Sequence, residues 1–103
     1  MEFLTELVTT VPEGTNAAKV DELKAAEAVR AAELARGGHL LRLWRPPLQP
    51  GEWRTLGLFS AADEAEVRKV LESLPLHIWM KVTITPLTPH PNDPMSNAKT
   101  QIV

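Results

Sequence analysis

The order of β-prone and helix-prone segments constrains this chain more than any other feature. Glu2 to Val11 is rich in Thr, Val, Leu and Phe and closes with Pro12, Glu13 and Gly14, which is strand chemistry followed by turn chemistry. Thr15 or Asn16 then offers a side-chain acceptor to an early helical amide. The Ala-, Glu- and Lys-rich stretch from Ala17 to Arg36 favours helix throughout, until Gly37 and Gly38 stop it. His39 to Arg45 and Trp53 to Phe59 are short β-prone runs. Between them Pro46, Pro47 and Pro50 leave a segment that cannot continue a sheet, so the pair reads as a hairpin with a stiff loop.

Ser60, Ala61, Ala62 and Asp63 form a Ser-x-x-Asp helix start, and Val67, Val70, Leu71 and Leu74 recur at helical spacing as far as Pro75. Trp79 to Thr85 supplies a last strand with Met80, Val82 and Ile84 on one side. The order β-α-β-β-α-β predicts an α+β, ferredoxin-like fold, with two helices covering one face of a four-stranded antiparallel sheet. The domain is expected over residues 1-88. Residues 89-103, punctuated by Pro89, Pro91 and Pro94, form a C-terminal arm that is free to be disordered at its end.

The first strand adds a constraint on assembly. Phe3, Leu7 and Val11 point one way while Leu4 and Val8 point the other, whereas a sheet with one wet face alternates apolar with polar. Two helices cover only one face, so a second copy of the chain is expected on the other, making a homo-oligomer.

Composition narrows the partners. The 103 residues suit one domain, and 44% hydrophobic with 23% charged residues is ordinary for a globular chain. A formal net charge of -2 argues against nucleic acid, and the absence of cysteine excludes disulfides, thiolate zinc sites and a Cys nucleophile. No apolar run approaches the roughly 20 residues that span a bilayer. Glu2 and Glu6 stand where a signal peptide would be basic and then apolar, so a cytoplasmic protein with no membrane partner is expected. His39, His77 and His90 lack metal-ligand spacing, and no bound metal is expected.

One acidic residue breaks the pattern of the first helix. Val20, Leu23, Glu27, Ala31 and Leu34 share the stripe that faces the sheet, and Glu27 occupies an apolar position on it. A carboxylate pushed towards a core is paired, hydrogen-bonded or protonated, and such acids serve general acid-base chemistry. The structural alternative is a Glu27 that only pairs with an arginine or that lies at the edge of the stripe. Arg45 ends a strand beside Trp44 and could hold a carboxylate by two parallel hydrogen bonds, or could be a surface arginine with an apolar stem. Trp53 and Trp79 are pocket candidates, with core or interface anchoring as the alternative. Gly37-Gly38 follows a helix and so is a helix stop rather than a phosphate loop.

Taken together, Leu23-Lys24-Ala25-Ala26-Glu27, Leu43-Trp44-Arg45, Leu74-Pro75-Leu76 with Met80 close behind, and His90-Pro91 resemble the muconolactone isomerase family, which also contains chloromuconolactone dehalogenases. The resemblance runs in the same order over nearly the whole chain, as far as about Pro94. It implies a ferredoxin-like fold assembled into dimers and a ring-like decamer, and a cofactor-free proton shift in a small carboxylated lactone. The product would be the enol-lactone of 3-oxoadipate. It also implies that Glu27 is the base and that Arg45 is the carboxylate anchor or the stabiliser of the dienolate, with Trp44, Trp53, Thr55 and Glu6 binding substrate.

The sequence departs from the family's pattern at several of these positions. Leu4 and Glu6 stand where the family has histidine and lysine, and Trp53 and Thr55 where it has tyrosine and asparagine. A Glu6 close to Glu27 would raise the pKa of one of the two. The competing expectations are a non-catalytic homo-oligomeric module and another cofactor-free enzyme on this scaffold, such as a lyase, dehalogenase or monooxygenase.

Overall fold

The computed structural model describes residues 1–97. The elements run β1 (Glu2–Thr9), α1 (Ala17–Arg36), β2 (Leu40–Trp44), β3 (Arg54–Ser60), α2 (Glu64–Glu72), a 3-10 helix (Pro75–Trp79), β4 (Met80–Leu87) and a short α3 (Pro94–Asn97). The strands form one antiparallel sheet in the order β2-β3-β1-β4, so the two central strands are those nearest the core, as the ferredoxin-like order requires. Residues 98–103, the end of the arm for which the sequence allows disorder, lie outside the described residues.

Alternation along the strands divides the sheet into two unlike faces. On β1, Phe3, Thr5, Leu7 and Thr9 are buried under the helices, opposite Phe59, Gly57 and Thr55 of β3 and Ile84, Val82 and Met80 of β4. Phe3, Phe59, Val67 and Leu71 are the largest apolar side chains sealed in this core, and each contributes about 1.5–3 kcal/mol by burial. Thr5 stays satisfied there because its hydroxyl donates to the Gly57 carbonyl at 3.1 Å. Leu4, Glu6 and Val8 point to the other face, which no helix of the described chain covers.

Several boundaries move from their expected places for physical reasons. β1 ends at Thr9 because the Thr10 amide turns to the Trp79 carbonyl at 2.8 Å, which leaves Val11 beyond the strand. The cap of α2 is Asp63, not Ser60: Asp63 accepts from the Glu66 amide at 2.9 Å and Glu66 accepts from Ala62, a capping box shifted three residues along. Ser60 instead ends β3. At α1 the expected cap choice resolves to Asn16, whose side chain accepts from Lys19 at 2.8 Å. The 3-10 helix was not foreseen; Pro75 sets its first turn, and β4 begins only after it.

The two helices are seated differently. α2 buries Val67, Val70 and Leu71, whereas α1 buries only Leu34, near its C-terminal end. The rest of its stripe, Val20, Leu23, Glu27 and Ala31, is half-buried. The side chains of Ala28 and Ala31 are too small to fill the space beneath α1, and a cleft remains between that helix and the sheet.

Candidate active site

The cleft measures about 700 Å³ and is bounded by four parts of the fold. α1 supplies one wall with Lys24 and Glu27, and the sheet supplies a floor that includes Leu7, Thr9, Thr55 and Met80. The loop between β2 and β3 gives Arg45, Leu48 and Trp53, and the segment around the 3-10 helix gives Leu74 and Leu76. Most of this lining is apolar, with a few charged groups converging on it, which is the usual make-up of a small-molecule site.

Glu27 is the acid that α1 brings to the cleft, which Glu52 of the β2–β3 loop also lines. The Glu27 carboxyl is half-buried, and its Oε1 accepts the Leu76 backbone N–H at 2.9 Å. No arginine pairs with it among the described residues, so the structural alternative of an ion pair does not describe this side chain. Burial raises its pKa above the ordinary glutamate value; the Leu76 hydrogen bond and the nearby His77 oppose that rise, but loss of solvent outweighs them. A carboxyl held this way is a stronger base than a solvated one and is open to the cleft.

The proline-rich loop positions the other candidates. Arg45 is exposed at the cleft wall and makes no ion pair among the described residues, so its guanidinium is available to an anion. The Trp53 carbonyl accepts the Thr9 amide at 2.9 Å, which ties the end of the loop to β1, and its ring lies under the Lys24 ammonium, 5.1 Å from Nζ to ring centroid. Thr55 opposes Leu7 and faces the same space.

Two of the residues chosen from sequence do not meet the others. Glu6 lies on the uncovered face of the sheet, where Arg54 Nη1 holds its Oε2 at 3.0 Å. It is therefore no neighbour of Glu27, and the expected carboxylate–carboxylate interaction is absent within the chain. Trp44 opposes Leu56 on that same face, with the Arg42 guanidinium 5.2 Å from its ring centroid. In both cases the period-two alternation of a strand turns the side chain away from α1. Trp79 ends the 3-10 helix and does not line the cleft.

Sequence reasoning also missed two contributors. Lys24 was not singled out, although it stands three residues before Glu27 and so shares its helix face. The Leu76 N–H left no signal at all, because a backbone donor depends on where the 3-10 helix is placed. Among the described residues, no group of three or more His, Cys, Asp or Glu could hold a metal ion, and no helix is long and apolar enough to cross a membrane.

Fold and cleft together define an α+β, ferredoxin-like domain with a half-buried glutamate and an exposed arginine lining one cleft. Residues 1–93 match the family of muconolactone delta-isomerase. Muconolactone Delta-isomerase of Cupriavidus pinatubonensis is 32% identical over 92 residues, covering 89% of this chain and 97% of that protein. Muconolactone Delta-isomerase 1 of Acinetobacter lwoffii is 30% identical over 92 residues, covering 89% and 93% respectively. A crystal structure of muconolactone isomerase superposes with a TM-score of 0.79 at 28% identity, covering 89% of this chain and 93% of the other. The chain belongs to the muconolactone delta-isomerase family and is an isomerase.

Proposed function

We propose that the enzyme converts muconolactone to the enol-lactone of 3-oxoadipate, with Glu27 as the general base and Arg45 as the anchor of the substrate carboxylate. The observation that carries this reading is a half-buried carboxyl of raised pKa opening onto the same cleft as an unpaired arginine. Arg45 grips the carboxymethyl arm through two hydrogen bonds and so presents the ring to Glu27. Glu27 takes the proton from the ring carbon that bears the arm. The electron pair of that C–H bond becomes a new ring double bond, the old double bond shifts towards the carbonyl, and negative charge collects on the carbonyl oxygen. Return of the proton to the carbon next to the carbonyl restores the lactone, with the double bond moved by one position and no atoms gained or lost. Trp53 and Thr55 shape the walls around the ring. Glu6 and Trp44 have no part in this chemistry within one chain.

The assembly follows from the open face of the sheet. A second copy covers Leu4, Val8, Leu56 and Leu58, and the family resemblance extends such dimers to a decamer.

Incubation of the purified protein with muconolactone in deuterated water tests the reaction. The enol-lactone should form and carry deuterium on the carbon next to the carbonyl, because Glu27 exchanges its proton with solvent through the open cleft. Glu27→Gln should lose about 10²- to 10⁴-fold in turnover. Muconolactone left unchanged by folded wild-type protein would refute the proposal.

A further inference from the structure

We infer that Lys24 is a second catalytic residue, its ammonium placed to meet the lactone carbonyl oxygen and to hold the negative charge that collects there when Glu27 takes the proton. The inference rests on the isomerase reading above and deepens it.

The charges of the reaction require a further cation. Muconolactone enters with one negative charge on its carboxylate, and deprotonation of the ring adds a second at the far end of the conjugated system. Arg45 answers the first. The second develops only along the reaction path, and a positive group fixed beside it lowers the barrier because it is stronger there than in the ground state.

Lys24 is the cation best placed for this. It lies three residues before Glu27 on α1, so its side chain shares the helix face that carries the base, and it lines the same cleft. Its Nζ is 5.1 Å from the centroid of the Trp53 ring, whose backbone is pinned to β1 through the Thr9–Trp53 hydrogen bond of 2.9 Å. An ammonium resting on an indole face keeps its stem along an apolar wall and its head towards the open space. Lys24 makes no ion pair among the described residues, so its remaining donors are uncommitted at the cleft that it lines.

The other cations nearby are committed elsewhere. Arg54 contributes to the lining, but its guanidinium is held by Glu6 at 3.0 Å and Glu52 at 3.8 Å. Arg42 lies over Trp44 on the uncovered face of the sheet. The Leu76 N–H already donates to Glu27.

Lys24→Met and Lys24→Arg, assayed with muconolactone beside wild type, test the inference. Binding of the saturated lactone, which has the same carboxylate arm but forms no dienolate, is measured by calorimetry. Lys24→Met should lower kcat about 10²- to 10³-fold, the scale of removing one donor to a developing oxyanion. Its affinity for the saturated lactone should stay within about threefold, and Lys24→Arg should recover part of kcat. Lys24 is exposed, and equal melting temperatures verify that both variants fold. A wild-type kcat in Lys24→Met would reduce Lys24 to a packing partner of Trp53, and a rise in KM alone would make it a ground-state carboxylate ligand; either overturns the inference. Failure of wild type to isomerise muconolactone is a separate outcome, which sinks the underlying reading and this inference with it.

Discussion

Glu27 Oε1 accepts the Leu76 N–H at 2.9 Å, so the carboxyl assigned as base also closes the first turn of the 3-10 helix. Leu74, at the cap position of that helix, has no side-chain acceptor to offer, and a residue of α1 performs the task across the fold. Stability and activity at position 27 therefore separate cleanly. Glu27→Gln keeps an oxygen for Leu76 and removes the ionisable group, so its melting temperature should equal or exceed that of wild type while turnover collapses. Glu27→Ala abandons the N–H and should cost about 1–3 kcal/mol. Equal melting of the Gln and Ala variants would show that the hydrogen bond contributes nothing.

The raised pKa of Glu27 has two consequences of opposite sense. Only the ionised carboxylate can take a proton, so kcat/KM should climb with pH along a limb centred above the ordinary glutamate value of about 4.3. Stability should move the other way. Because burial raises the folded-state pKa, the folded protein holds the Glu27 proton more tightly than the unfolded chain does. The resulting stabilisation is present below the unfolded pKa and is lost as pH rises through the folded one. Wild type should therefore lose ground to Glu27→Gln over that window. Melts of both proteins across a pH series, showing a constant difference, would contradict the assignment.

The contrast between Glu27 and Glu6 shows what the sequence could and could not reveal. Glu27 stood out because a charged residue interrupts a helical apolar stripe, and a period of 3.6 specifies direction over several turns. The apolar sides of β1 and β4 were legible from the period-two alternation of strands, and the element order from the turn and helix-stop residues between the elements. Glu6 and Trp44 were grouped with the site by linear resemblance, which carries no information about faces; strand alternation sends both away from the cleft. The Leu76 N–H and the 3-10 helix were invisible because no local pattern specifies them, only the docking of one element on another.

Gly57 gives a test of packing that leaves the chemistry untouched. A methyl group at this buried strand position would lie 2.8 Å from Phe59 Cε1, 3.0 Å from Thr5 Oγ1 and 3.2 Å from Leu43 Cδ2. Phe59 and Thr5 are sealed in the core and cannot yield freely. Gly57→Ala should cost about 1–3 kcal/mol, a fall of roughly 4–8 °C in Tm for each kcal/mol in a domain of this size. Thermal melts measure it, and an unchanged Tm would show that the strands adjust without strain.

Arg45→Lys tests the anchor. Lysine retains the charge but not the planar fork, so affinity for acidic lactones should drop about tenfold, equivalent to 1.4 kcal/mol, with Tm unchanged because the side chain is exposed. Binding measured by calorimetry at wild-type strength would return Arg45 to the role of an ordinary surface arginine.

The uncovered face of the sheet makes the remaining prediction. Leu4 is 37% exposed there and stands opposite Leu58, with Val8 and Leu56 on the same face and Trp44, 38% exposed, at its edge. An apolar surface of this kind is costly in water, and a self-complementary patch buries it when two copies meet about a twofold axis. The Glu6–Arg54 pair at 3.0 Å sits amid these side chains, half-exposed in the single chain and worth at most about 1 kcal/mol there. Association would bury the pair intact, with both charges already matched, so it need not oppose the interface. The mass in solution should accordingly be a multiple of 11.4 kDa. Leu58→Arg, which puts an unmatched charge among the leucines opposite Arg42, should shift the population towards monomer while leaving the helix-covered core untouched. Light scattering at micromolar concentration reads both proteins. A monomeric wild type, or a Leu58→Arg assembly as large as wild type, would show that something other than this face holds copies of the chain together.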